Sequence, residues 1–172
     1  MGMDVYGKNP TSEKGSYFRN NVWYWHPLWD YCLNLHGDIC NKVEHGHHND
    51  GDGLDAFDAS LLADRLFHDL EVGVTEQYAE EYRKYIAELP FTDCKWCDAT
   101  GIRTDEVGVK AGMPTKELDE EKAIIYGRTH GYCNGCGGAG KCESWASNYP
   151  FDVDNVREFA EFLRDCGGFE IC

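Results

Sequence analysis

Apolar residues recur at helical spacing in three stretches. Leu54, Phe57, Leu61, Leu62, Leu66 and Leu70 share one face, and Asp55 stands where a helix N-cap or first-turn acid belongs. Tyr78, Tyr82, Tyr85, Ile86 and Leu89 mark a second helix that starts at Thr75, in which Glu80 and Lys84 can pair at i, i+4, and that is stopped by Pro90. The short turn containing Gly73 predicts that these two helices form an antiparallel hairpin. Val156, Phe159, Ala160 and Leu163 mark a third helix over 152–165, behind the acids Asp152 and Asp154 and ahead of Gly167-Gly168.

The aromatic run Val22, Trp23, Tyr24, Trp25, Leu28, Trp29 leads into a further helix over 27–35, with Pro27 early and Gly37 past its end. No stripe of Arg or Lys accompanies these rings, so they read as core anchors and not as base-stacking platforms; Cys32 joins that core. Residues 1–22 are rich in Gly, Asn, Ser and Lys and read as an arm with a turn at Asn9-Pro10. Long alternating strands are missing from the pattern, although residues 169–172 suit a short one. The expected fold is mainly α, with a small α+β arrangement admissible. Residues 1–93 supply the aromatic arm and acidic hairpin, residues 94–142 a cysteine-rich module with an inserted helix at 115–126, and residues 143–172 an acidic helix on the same core.

Charge changes the picture of partners. The 172 residues carry 31 acids and 16 bases, a formal net charge of -15. Residues 1–43 and 94–142 are each balanced, so the excess lies in 44–93, with thirteen acids against three bases, and 143–172, with seven against two. Nucleic acid is bound by neutralising its phosphates, so direct duplex binding is disfavoured and a protein with a basic surface is the better partner. Acidic faces also serve solubility alone. With no apolar run long enough to cross a bilayer and no signal-peptide pattern at the N-terminus, no membrane role is expected and the cytoplasm is the expected location.

Nine cysteines, an odd number, together with two C-x-x-C pairs, favour metal thiolates over disulfides. Cys94-Lys95-Trp96-Cys97 and Cys133-Asn134-Gly135-Cys136 each allow a tight turn to aim two sulfurs at one ion. Together they complete a tetrahedral shell of Cys94, Cys97, Cys133 and Cys136 around one structural zinc, with no position left for water. Cys142 is a lesser candidate ligand.

The stretches Cys94-x-x-Cys97-x-x-Thr100-Gly101 and Cys133-x-x-Cys136-x-Gly138-x-Gly140 resemble the C-x-x-C-x-G-x-G repeats of the cysteine-rich domain of DnaJ-type co-chaperones, in which two repeats share one zinc. The likeness spans residues 94–142. It departs from that family in having two repeats and not four, in Ala99 at a glycine position, and in the 35 residues, 98–132, between the pairs. A J-domain His-Pro-Asp tripeptide is missing too, so the resemblance implies zinc-knuckle geometry and not co-chaperone activity. The remainder, notably the opening MGMDVYGKNPTSE, resembles small uncharacterised proteins of bacterial and phage genomes, which implies an accessory or host-modulating role.

His45, His47, His48, Asp50 and Asp52 have metal-ligand chemistry in a permissive loop and would serve a metal-dependent hydrolase, but their spacing fixes no geometry. A calcium loop built on Asp50-Gly51-Asp52-Gly53 lacks its first and last acids. Lys95, Trp96, Arg103, Lys110, Arg128 and Lys141 would serve a nucleic-acid-binding zinc module. Neither a nucleophile elbow nor a P-loop occurs. The expected function is therefore a zinc-stabilised acidic interaction protein, more an inhibitor or accessory of a nucleic-acid-handling complex than an enzyme.

Overall fold

A computed structural model describes residues 2–172. They fall into two compact units: one from the start of the chain to Ala87 together with Asn148–Cys172, the other Glu88–Ser147. The architecture is mainly α with some β.

The first unit begins with a feature that its composition hides. Strands β1 (Gly2–Gly7) and β2 (Tyr17–Asn21) form an antiparallel hairpin in which Val5 faces Phe18 and Asp4 faces Arg19. Met3 and Val5 alternate with Asp4 and Tyr6, so one face is buried and the other carries the Asp4–Arg19 ion pair and the Tyr17 hydroxyl bonded to Asp4. The expected arm is thus a strand pair.

Helix α1 (Val22–Cys40) starts at Asn21, whose side chain accepts from Trp23 N–H at 3.1 Å. It is longer than the expected 27–35. Pro27 lies inside it as the sixth residue, past the first turn, where it forgoes the backbone bond that an N–H would give to Trp23 O. Gly37 does not end the helix; the backbone kinks at His36, with φ -128° and ψ 36°, and helical structure resumes to Cys40.

The helices α2 (Ala56–Val72), α3 (Val74–Glu88) and α6 (Val153–Asp165) fall close to their expected positions; α4 (Glu106–Lys110) and α5 (Glu120–Tyr126) belong to the second unit. Asp55 caps α2 by accepting from Asp58 N–H at 2.9 Å. The expected antiparallel packing of α2 on α3 does not occur: the main partner of α2 is α6. Gly73 alone, at φ 81°, joins α2 to α3, and one residue cannot span the 8–10 Å that separates side-by-side helix axes.

Leu62, Ala63, Leu66 and Leu70 of α2 and Phe159, Ala160 and Leu163 of α6 are all buried in one core. Each leucine there contributes about 2 kcal/mol of burial. Trp25 and Trp29 stack with ring centres 5.7 Å apart, and Phe159 meets Trp25 edge-on at 5.5 Å. The tail strand β5 (Phe169–Ile171) pairs with β1 and completes the sheet in the order β2-β1-β5.

A polar knot crosses this core. Asp69 Oδ2 accepts from the Tyr31 hydroxyl at 2.9 Å and from His36 Nε2 at 2.7 Å, while Tyr31 also meets Thr75 Oγ1 at 2.9 Å. It ties the α1 kink to the end of α2 and the start of α3. Among the described residues every buried side-chain nitrogen and oxygen has a partner.

The second unit contains β3 (Thr92–Asp93), α4 (Glu106–Lys110), α5 (Glu120–Tyr126) and β4 (Lys141–Cys142), with β3 antiparallel to β4. The expected inserted helix at 115–126 is shorter at its start. Leu118 N–H bonds to Thr129 O, and Gly131 N–H to Lys116 O, which draws 116–118 into an extended pairing. Asp119 then caps α5 through Lys122 N–H at 2.8 Å, a stronger cap than Thr115 can offer.

Candidate metal centre

The four cysteines of the two knuckles lie together, with all four sulfurs within 4.8 Å of one another. Among the described residues they are the one group of three or more such side chains placed to hold a metal ion. The Sγ atoms of Cys94 and Cys133 are 3.9 Å apart, and those of Cys97 and Cys136 are 3.8 Å apart. A tetrahedral zinc with bonds of about 2.3 Å requires sulfur–sulfur edges of about 3.8 Å. The donor set fits one such ion.

The two knuckles superpose residue on residue at an offset of 39. In the first, Ala99 N–H bonds to Cys94 O at 3.2 Å and Gly101 N–H to Cys97 Sγ at 3.2 Å. In the second, Gly138 N–H bonds to Cys133 O at 3.1 Å and Gly140 N–H to Cys136 Sγ at 3.2 Å. These N–H groups donate to sulfur and favour its ionised form. A Cβ at Gly140 would lie 2.2 Å from Ala99 O, so the knuckles meet where only glycine fits.

Supports outside the cysteines join the halves. Arg128 donates from Nη2 to Gly101 O at 3.1 Å and to Gly138 O at 2.7 Å, clamping one knuckle to the other. Arg103 is buried, forms two bonds to Asp105 and one to Asn134, and lies 4.7 Å from the Trp96 ring centre. That guanidinium holds the Asp105 carboxyl below its usual range. The equal offset of cysteine and glycine was the sequence signal for the sulfur-directed N–H groups. Arg128 carried none, because its role depends on a fold that brings two distant carbonyls together.

The thiols themselves argue for a cation. At Cys94 burial opposes ionisation, but the Trp96 N–H and the neighbouring thiols outweigh it and draw the thiol down to about 7. Burial pushes Cys97 up to about 12, and it raises Cys133 as well. Four adjacent sulfurs cannot all ionise unaided, and a dication removes that conflict. Cys142 packs against the cluster, with its thiol 3.4 Å from Gly135 O, but it is not one of the four converging ligands.

The left-handed backbone at Asp98 (φ 45°) and Ala99 (φ 62°) corresponds to Gly137 and Gly138 in the second knuckle. Alanine is strained by about 1 kcal/mol in that region. Ala99→Gly should therefore stabilise the zinc-loaded module by about 1 kcal/mol, read as slower zinc loss to a chelator and a higher melting temperature.

The loop candidates do not assemble into one site. Asp52 is used locally, accepting from the N–H groups of His45 and Gly53 at 2.9 and 2.8 Å. His45, His48 and Asp50 are exposed, and His47 turns towards α1. Of the six residues of the basic set, Arg103 and Arg128 are engaged in holding the knuckles, and Lys110 pairs with Glu106. No helix among the described residues is long and apolar enough to cross a membrane. No protein-family model, curated protein or solved structure matches the chain.

Proposed function

We propose that this chain is a zinc-stabilised, acidic protein-interaction module. The observation that carries the zinc assignment is the set of four sulfurs within 4.8 Å of one another, two of their separations at the tetrahedral edge length and each knuckle donating a backbone N–H to one of them. Four thiolates saturate the ion, so it serves folding and not catalysis. A reducing compartment such as the cytoplasm suits thiolates of this kind.

The interaction reading rests on where charge is left uncompensated. The larger unit holds 21 acids and nine bases. Most of those bases are already engaged: Lys14 with Glu161, Arg19 with Asp4, Lys42 with Asp58, Arg65 with Asp38, Arg157 with Asp154, and Arg164 over the Phe67 ring. Exposed acids such as Asp64, Glu71, Glu76, Glu80, Glu81 and Glu158 remain to meet lysines and arginines of a partner. Occupation of a basic site that otherwise holds nucleic acid is the mode we favour, consistent with an accessory or inhibitory role of phage type.

Titration of the zinc-loaded chain against an arginine- and lysine-rich peptide, and separately against duplex DNA, tests this reading. Peptide binding should weaken at least tenfold as salt rises from about 50 to about 300 mM, because screening lengths fall below the reach of surface charges. Combined reversal of Glu76, Glu80 and Glu81 to lysine should weaken it further, and DNA should not bind. Salt-insensitive peptide binding would count against this reading, and a DNA complex at low salt would favour the nucleic-acid-binding alternative.

A further inference from the structure

His47 is placed with care. Trp25 Nε1 donates to Gly46 O at 2.8 Å, and a Cβ at Gly46 would lie 2.0 Å from Trp29 Nε1. Only glycine lets the loop ride this closely on α1. The clamp lays the His47 ring along that of His26, with centres 4.7 Å apart and planes 25° from parallel. Nδ1 faces Nδ1 at 2.7 Å. On its other side, His47 Nε2 lies 3.1 Å from Asp30 Oδ1, and Asp30 is one helical turn beyond His26 on α1.

A carboxylate only accepts, so Nε2 of His47 carries the hydrogen and Nδ1 turns its lone pair towards His26. Metal-bound histidines have this arrangement: one ring nitrogen is tied to a carboxylate and the other is left for the ion.

We propose that His26 and His47 form a two-imidazole site for a divalent ion of the nickel, copper and zinc series, oriented by Asp30 and separate from the cysteine cluster. His26 joins through Nδ1 once its proton moves to Nε2. Metal–nitrogen bonds of about 2.0–2.1 Å place neighbouring nitrogens about 2.9 Å apart in the square or octahedral shells of nickel and copper and about 3.3 Å apart around tetrahedral zinc, so the rings part by roughly 0.2–0.6 Å from their hydrogen-bonded spacing. Imidazole nitrogens select this series over magnesium and calcium, and water fills the remaining positions. The acidic surface of the same unit draws cations towards it. The site does not depend on the interaction role proposed above.

Calorimetric titration of the zinc-loaded full chain with nickel chloride tests the site. One nickel should bind per chain while the zinc content, measured before and after, stays constant. His47→Ala and His26→Gln should each abolish the binding, Asp30→Ala should weaken it about tenfold, and the double variant His45→Ala/His48→Ala should leave it intact. If His26→Gln melts early, His47→Ala, on the loop, carries the test alone. Absence of saturable binding overturns the site, as does binding that survives His47→Ala, binding lost with His45 and His48, or nickel taken up only as zinc leaves.

Discussion

Cys133→Ser should abolish zinc binding and unfold the Glu88–Ser147 unit. The reason is the composition of that unit's interior. Its one buried cluster consists of Cys94, Cys97 and Cys133, with Cys136 and Cys142 packed beside them. Its larger aliphatic side chains lie largely outside: Val107, Val109 and Ile125 are exposed, and Ile124 is 83% exposed. A segment of this size with so little apolar burial needs a staple, and structural zinc supplies about 10–16 kcal/mol of apparent binding free energy to small knuckle domains. Emission spectrometry should find one zinc per wild-type chain and none in the variant. Amide spectra should show the resonances of 88–147 collapsing to random-coil positions, while those of the Trp25–Phe159 core persist, because that core lies wholly in the other unit. A strong chelator should reproduce the effect in the wild type. If the chelated chain kept its dispersed 88–147 resonances, the sulfur cluster would not be what holds the module together.

Asp69→Ala should destabilise the larger unit by about 2–5 kcal/mol, since it removes the one buried oxygen that accepts from both Tyr31 and His36. The Asp69 and His36 side chains are only 11% and 8% exposed. Without the carboxylate, the Tyr31 hydroxyl and His36 Nε2 lose their acceptor inside a packed core, and the α1 kink loses its anchor. Tyr31→Phe removes one donor and leaves the pair, so its cost should be nearer 1–2 kcal/mol. Urea denaturation of the zinc-loaded proteins distinguishes the two: the midpoint should fall much further for Asp69→Ala than for Tyr31→Phe. Equal shifts would mean that the pair contributes no more than one neutral hydrogen bond.

The contrast between these sites explains what was legible in the chain. The cysteine ligands are close in sequence within each knuckle, so spacing alone proposed the set that the fold brings together. Helices α2, α3 and α6 were equally legible, because their buried faces repeat at the helical period and Asp55 marks a start. The hairpin β1–β2 was not: five or six residues per strand show too few alternations to stand out beside Gly, Asn and Ser. Gly37 misled in the other direction. A glycine after an apolar run signals a helix end, but here buried Ile39 and Cys40, together with the His36–Asp69 bond, carry the helix past it. The meeting of His26 and Asp30 with His47 was invisible as well, since it depends on the Trp25–Gly46 contact that folds a distant loop onto α1.

The pairing of Thr92 with Cys142 and of Asp93 with Lys141 has a consequence for engineering. It brings entry and exit of the segment that carries the two cysteine knuckles within one inter-strand spacing, about 4.8 Å. A segment with neighbouring ends can be spliced into a connection between two helices as a self-contained cassette. Grafting it into an unrelated surface loop is open to the engineer, because that loop need supply only two ends about one inter-strand spacing apart.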